Sequence, residues 1–173
     1  MKNKIDHKTA TVIWYLISKL NGVLGKTHLQ KMMFLADLLS AKNFQQQITV
    51  MEYKKYHYGP YTQDLDEYIK FLVNKKIIEE RAFNFNSDPE KHYSRYYVLK
   101  PFTDKGLLIK EVGGSDKALL LDDIINSFGN LSLQEVLDVV YSLQETKRTD
   151  FNGPIELAKK IGNKNKESEE APF

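Results

Sequence analysis

Residues 53–62, with the sequence YKKYHYGPYT, constrain the fold more strongly than any other stretch of the chain. The segment 48–58 is rich in β-branched and aromatic residues, which predicts a strand. Pro60 cannot donate a hydrogen bond to a sheet, and Gly59 can adopt backbone angles that other residues avoid, so the strand is expected to end there. Because Thr62 is a suitable cap for a following helix, we predict a strand-to-helix junction with an aromatic rim.

Two helices are predicted before this junction. Asp6 is a suitable N-cap for the first, and Asn21-Gly22 supplies a left-handed stop after it. The second is expected to begin at Thr27, where Thr27 and Gln30 match the pattern of a capping box. Its apolar residues cover more than one face, so we expect this helix to be central and buried on most sides.

The chain after the junction predicts one more helix, a hairpin and then a helical half. Apolar residues recur at helical spacing from Thr62 to about Lys75. Two β-like segments, 77–85 and 93–100, predict a hairpin whose loop spans residues 86–90. Further helices are expected over 102–112, over 115–128 with Ser115 as cap, from a second capping box at Ser132, and from Pro154 to near Gly162.

These elements predict an α+β, mainly helical fold. Helix, helix, strand, helix and hairpin resemble a winged-helix core over residues 1–101, followed by a helical extension over 102–162 packed on the same domain and a disordered tail over 163–173. One feature departs from the usual pattern. A tight helix-turn-helix joins its helices by about 3–4 residues, whereas here a predicted strand lies between the second and third predicted helices.

The composition supports a folded core and excludes some classes of function. A hydrophobic content of 42% is enough for a core, and a net charge of +2 predicts no strong non-specific attraction to DNA or to anionic membranes. The chain has no cysteine, which removes disulfides and thiolate chemistry. The apolar run near the start is interrupted by Lys19, so we expect no signal peptide, no membrane partner and a cytoplasmic location.

Candidate catalytic and cofactor motifs are weak. Gly25-Lys26-Thr27 matches only the end of a phosphate-binding loop, and Leu20 stands where that motif needs glycine. The histidines lie far apart in the sequence, without a second ligand type at metal spacing: His7, His28, His57 and His92. We therefore predict no catalytic residue, no metal site, no cofactor and no enzymatic activity.

Two segments together resemble one protein family. Residues 25–37 contain Leu-Gln-Lys followed by apolar positions, Phe34 and alanine, and about twenty residues later Tyr-Gly-Pro is followed by Leu65. This order is similar to that of the SocA-like Panacea domains and the related YwgA-like proteins, in which an antitoxin-like, protein-binding role and a winged-helix-like fold are implied for some members. Tyr56 and His57 stand where the Panacea branch usually has tryptophan or another large residue. The matching residues are Leu29, Gln30, Lys31, Phe34, Tyr58, Gly59, Pro60 and Leu65.

The tyrosine-rich junction is the best candidate for a functional surface. Each tyrosine hydroxyl needs a hydrogen-bond partner when buried, and tyrosine-rich rims are enriched at protein interfaces. One interpretation is therefore a surface for a partner protein, and the family resemblance implies that this partner is a toxin. The other interpretation is a structural corner that braces the strand against the helix. The residues expected to contact the partner are Tyr53, Tyr56, Tyr58, Gly59, Pro60 and Tyr61.

The alternative function is a winged-helix DNA-binding transcriptional regulator. In this hypothesis the helix over residues 62–75 enters the groove, and Lys91, His92 and Arg95 of the hairpin contact the nucleic acid. The first turn of that helix carries acidic residues, which would face the phosphates. We therefore place the protein-binding hypothesis first and nucleic acid second.

Overall fold

A computed structural model of the chain describes residues 4–157, and within this range the protein is α+β and mainly helical. The helices are α1 (His7–Lys19), α2 (Lys26–Phe44), α3 (Leu65–Asn74), α4 (Lys105–Val112), α5 (Ser115–Phe128), α6 (Leu133–Ser142) and α7 (Gln144–Lys147). The strands are β1 (Tyr53–Tyr56), β2 (Gly59–Tyr61), β3 (Ile78–Phe85), β4 (Asp88–Val98) and β5 (Pro154–Ile155).

Helix α2 is the centre of the fold, as its apolar pattern predicts. It contacts α5, α6 and β2, and 13 of its 19 residues are buried. Helix α1 packs against α3, α4 and the base of β4, so the N-terminal and C-terminal halves share one hydrophobic core. Among residues 4–157, none of the helices combines the length and the hydropathy that a membrane span requires.

The strands form two antiparallel sheets. The first has the order β2-β1-β5, with Tyr56 opposite Gly59 and Tyr53 opposite Ile155. The second is the hairpin of β3 and β4, which begins at the buried Ile78. Most residues toward its turn are exposed to solvent. The predicted hairpin is thus confirmed, but its turn is shorter than expected because β4 already begins at Asp88.

Residues 53–62 form a β-hairpin, so the prediction of a strand that runs directly into a helix is wrong. The chain reverses at His57-Tyr58, and Gly59 follows with a φ of 82°, a conformation that favours glycine. Pro60 is tolerated because β2 is an edge strand. The strand also begins at Tyr53 rather than near residue 48, since residues 48–52 are irregular.

Some of the predicted helix caps are confirmed. The Asp6 carboxylate accepts a hydrogen bond from the Thr9 backbone amide at 2.8 Å, and the capping box of Ser132 and Glu135 is complete. Gly22, in the turn after α1, has the expected positive φ.

Other predicted caps are wrong. Helix α2 begins at Lys26 after Gly25, without the capping box of Thr27 and Gln30. Thr62 lies outside α3, whose N-cap is Asp64, and α5 already includes Ser115. Gln30 is instead bonded to a distant segment, since its amide donates to the Thr62 carbonyl at 3.0 Å.

The last predicted helix is also wrong at its start, because Pro154 lies in strand β5. Residues 154–155 pair with β1, and Ile155 is buried at the edge of the core. The local sequence did not predict this position in the sheet, because proline is accepted both in an edge strand and at the first turn of a helix. The predicted end of that helix near Gly162 and the tail over 163–173 lie outside the described residues.

Candidate functional site

The first hairpin is held against α2 by two buried polar side chains. Lys31 Nζ donates a hydrogen bond to the Pro60 carbonyl at 2.6 Å, and the Gln30 amide donates to the Thr62 carbonyl at 3.0 Å. Both side chains are buried. Burial of the ammonium lowers the pKa of Lys31 to about 8. The two sequence motifs are therefore joined physically, since side chains of one bind the backbone of the other.

Tyr53 is a core residue, with only 3% of its surface exposed. Its hydroxyl donates to Asp37 Oδ2 at 2.8 Å, and its ring packs edge-on against Phe34 with 5.2 Å between centroids. Asp37 also accepts from the Thr49 amide at 2.7 Å. Burial and the neighbouring Asp37 raise the pKa of the Tyr53 hydroxyl, which stays protonated as a donor. We therefore do not include Tyr53 among the residues available to a partner.

Gly59 and Pro60 are buried as well. A Cβ added to Gly59 would lie 3.6 Å from Val140 of α6, so this turn lies close against that helix. The family-motif residues Leu29, Phe34 and Leu65 are fully buried core residues. Most of the motif thus supports the hairpin from within the core, while its one exposed side chain, Tyr58, lies at the turn.

The exposed part of the hairpin belongs to a continuous aromatic surface, which we call the aromatic patch. Tyr58 is 66% exposed, Phe151 59% and Tyr56 43%. The rings of Tyr56 and Phe151 stack with 5.5 Å between centroids, and His57 lies 5.1 Å from the same Phe151 ring. The patch consists of Tyr56, His57, Tyr58, Tyr61, Tyr141 and Phe151.

Two of these residues, Tyr141 and Phe151, come from the C-terminal half and were missed by the sequence analysis. The Tyr141 hydroxyl donates to the His57 carbonyl at 2.8 Å, which joins α6 to the turn. Backbone bonds from Asn152 to the Lys55 carbonyl at 2.6 Å, and from Lys55 to the Gly153 carbonyl at 2.9 Å, place Phe151 beside Tyr56. For Phe151, the sequence offered one indication of a surface role, which is that this aromatic residue stands in a polar, glycine-containing segment at 149–153.

A shallow, open pocket of about 380 Å³ lies beside the patch. Rings of Tyr56, Tyr61 and Phe151 form its apolar walls. Its other lining residues are an ammonium group and two amides, from Lys54, Gln63 and Asn152. The lining thus combines apolar rings with residues that can donate hydrogen bonds and one cation.

The hairpin residues predicted to contact nucleic acid are mostly engaged within the protein. Arg95 donates to the Gly22 carbonyl at 3.1 Å and so braces the turn between α1 and α2. His92 Nδ1 lies 2.5 Å from Asn84 Oδ1, and Lys91 Nζ lies 3.6 Å from Asp88 Oδ2. Lys91 remains accessible, with 75% of its side chain exposed.

Acidic groups lie at the start of α3. Its first turn carries Asp66 and Glu67, and Lys26 of α2 pairs with Asp66 at 2.8 Å.

Within residues 4–157, no group of three or more histidine, aspartate or glutamate side chains is arranged to hold a metal ion. His28, which was among the metal candidates considered, is a buried residue of α2. Burial and the charge of Arg95 lower its pKa.

Comparison with known proteins gives one finding. Residues 29–145, about two thirds of the chain, match the family model described as "Antitoxin SocA-like, Panacea domain". No curated protein and no solved structure shows a significant match to the chain. The matched region begins at Leu29 of α2 and ends within α7, so it includes the first hairpin and its buried anchors.

Proposed function

The chain belongs to the antitoxin SocA-like, Panacea domain family, and from this premise we propose that it is an antitoxin-like protein-interaction module. In this proposal it acts in the cytoplasm without enzymatic activity and binds a partner protein, for which the family description suggests a toxin. The contact surface is the aromatic patch, in which Tyr56, Tyr58 and Phe151 are the most exposed tyrosine and phenylalanine rings.

The observation that carries this proposal is the exposure of several aromatic rings, two of them stacked, on a support that is bonded to two helices. Tyrosine and other large aromatic residues dominate the binding energy of protein interfaces when a partner covers them. Here the supporting hairpin is tied to α2 by Lys31 and Gln30 and to α6 by Tyr141. A rigid surface loses little conformational entropy on binding, which favours affinity.

The alternative is a winged-helix DNA-binding regulator, in which α3 would be the recognition helix and the β3–β4 hairpin the wing. The observation that favours it is the projecting hairpin with its exposed Lys91. Asp66 and Glu67 would face the phosphates, and Arg95 already binds backbone carbonyls. We therefore place this function second. It predicts binding that falls steeply with salt and weakens in Lys91→Ala.

The test is a pull-down with the tagged full chain from native lysate, with and without nuclease, followed by mass spectrometry. The bait is compared with a Tyr58→Ala/Phe151→Ala variant. A matched control, Phe83→Ala/Phe85→Ala, removes two exposed rings from the other hairpin. We expect one stoichiometric protein that survives nuclease, is lost with the patch variant and is retained by the control.

The isolated partner then allows a quantitative test by isothermal titration. We expect Tyr58→Ala and Tyr61→Ala to weaken binding by about 1–2 kcal/mol each, because truncation of a central aromatic residue at an interface has this effect. Circular dichroism verifies that each variant is folded. Unchanged affinity in both folded variants would contradict the assignment of the patch. Co-purification of nucleic acid, with loss of all protein partners after nuclease, would favour the alternative.

A further inference from the structure

The outer edge of the first hairpin is closed to strand addition. Strand β2 forms this outer edge, and its middle residue is Pro60, which lies opposite Lys55 of β1. Pro60 has no N–H, and its carbonyl already accepts from Lys31 Nζ. The other edge of β1 is occupied by β5. Because main-chain pairing is blocked here, a bound segment must be recognised through side chains.

The aromatic walls of the pocket form a row of rings instead of a deep cavity. The Tyr56 ring lies 5.5 Å from that of Tyr61 at an interplanar angle of 37°, and 5.5 Å from that of Phe151 at 24°. Aromatic-lined grooves of this kind bind proline rings in the polyproline II conformation, which is already extended and loses little entropy on binding. Rings at this distance contact one another, so the apolar surface open to a ligand is their exposed faces and edges, which a narrow extended segment can cover.

The polar lining complements such a segment. A polyproline II backbone has no internal hydrogen bonds, so its carbonyls need donors from the surface that binds it. The amides of Gln63 and Asn152 and the tyrosine hydroxyls are donors at the pocket wall. Among the lining residues that the structure describes, Lys54 is a cation and none is a carboxylate. An acidic residue in the bound segment would therefore find a partner.

We propose that this pocket binds a proline-containing segment of a partner protein in the polyproline II conformation, with an acidic residue placed against Lys54. The inference rests on the proposed function, because it names the kind of segment that the aromatic patch captures. The rings of Tyr56 and Phe151 hold the prolines, and the amides of Gln63 and Asn152 hold the carbonyls.

The test uses three capped synthetic peptides of equal length, built from Pro-Pro-Glu, Pro-Pro-Lys or Gly-Ser-Glu repeats. Each is titrated into the 15N-labelled full chain, and amide shifts are followed by NMR. We expect the Pro-Pro-Glu peptide to shift amides of residues 54–63 and 151–153. The lysine peptide should bind about threefold more weakly, as loss of an exposed ion pair predicts, and the Gly-Ser-Glu peptide should not bind.

Variants locate the binding. Phe151→Ala should weaken binding of the Pro-Pro-Glu peptide about tenfold, as loss of an aromatic contact residue does, whereas Phe83→Ala on the other hairpin should leave it unchanged. Lys54→Glu should reverse the preference between the acidic and basic peptides. Equal binding of all three peptides, shifts outside the pocket, or no binding by any of them would overturn the inference.

The outcome also separates this inference from the proposed function. If the isolated partner depends on Tyr58 and Phe151 while the Pro-Pro-Glu peptide does not bind, the patch binds a protein but not a polyproline II segment. If the peptide binds at the pocket and no partner depends on the patch, the proposed function fails by itself. The two experiments therefore use different probes of one surface.

Discussion

The two β-hairpins of this protein have similar aromatic content but very different support. The first, β1–β2, has turn-side residues that are exposed, while Tyr53 and Pro60 are buried and bonded to α2. The second, β3–β4, is buried at its base around Ile78 and Tyr96 and exposed over most of its distal part. In the first hairpin the ring of Tyr53 packs into the core, whereas in the distal part of the second hairpin Phe83 and Tyr93 pack on each other.

Cross-strand pairs are the main support of the distal β3–β4 hairpin. Phe83 stacks on Tyr93 with 5.5 Å between centroids, and Arg81 lies 4.0 Å from the centroid of the Tyr97 ring. Such pairs contribute about 0.2–1 kcal/mol each. The first hairpin instead depends on buried hydrogen bonds to charged groups, whose loss has a larger effect. The anchors of the first hairpin lie directly beneath its exposed rings. Those of the second hairpin, at Arg95 and Tyr96, lie nearer its base than Phe83 and Tyr93.

The largest expected effect is that of removing the carboxylate under the first hairpin. Asp37→Ala leaves the Tyr53 hydroxyl and the Thr49 amide without their buried acceptor, and we expect a loss of about 3 kcal/mol in the free energy of unfolding. Urea denaturation followed by the fluorescence of the single Trp14 measures it. Asn84→Ala removes an exposed polar contact in the other hairpin and should change stability by less than about 0.5 kcal/mol. Equal losses would remove the distinction between the hairpins.

The second effect is a pH dependence caused by Lys31. Its pKa falls from 10.5 to about 8 on folding, so the unfolded chain binds more protons between these values and stability rises with pH. The penalty for burying the charged form is complete below pH 8 and absent above pH 10.5. Relative to Lys31→Met, the wild type should gain about 2 kcal/mol between pH 8 and pH 10. Urea denaturation of both proteins measures this difference in the free energy of unfolding. The same difference at pH 8 and at pH 10 would contradict the role of Lys31.

A third, smaller effect concerns the turn of the first hairpin. Gly59 has a φ of 82°, and an added Cβ would meet Val140 at an ordinary distance of 3.6 Å, so backbone strain is the main effect of substitution. Gly59→Ala should lower stability by about 1–2 kcal/mol. The control is Ser87→Ala, in the turn of the second hairpin, where φ is not positive. Thermal unfolding followed by circular dichroism compares the two, and a larger loss in Ser87→Ala would be inconsistent with the strained turn.

The smallest effect is expected in the distal part of the second hairpin. Phe83→Ala removes one stacked ring that is 36% exposed and should lower global stability by about 0.5 kcal/mol. Hydrogen exchange should become faster for amides of residues 81–95 and stay unchanged for residues 53–61, because the two hairpins open separately. Faster exchange in both would show that they are one cooperative unit.

Features that depend on neighbouring residues were predictable from the sequence. The central position of α2 follows from apolar residues on more than one of its faces, and the Asp6 cap and the Ser132 capping box need partners only three residues away. The β3–β4 hairpin also has a local pattern. By contrast, the Gln30 amide binds Thr62, 32 residues away, instead of closing a capping box. Nothing near Gln30 distinguishes these two uses.

The aromatic patch shows the same division. Tyr56, Tyr58 and Tyr61 were identified from the density of tyrosines in one short stretch, and the family motif was evident from its residue order. Which of the tyrosines is exposed was decided by the packing of Tyr53 into the core against Phe34 and Asp37.

The sequence by itself thus determined the α+β class, the central helix, the locally capped helix ends and the residue types of the surface. The tertiary structure decided that residues 53–62 form a hairpin, that Pro154 joins it as a strand, and that Tyr141 and Phe151 complete the patch. The physical reason is the range of the interactions. Caps and periodic patterns act within a few residues, whereas a buried hydrogen bond or a ring stack between distant segments forms only after the core has brought those segments together.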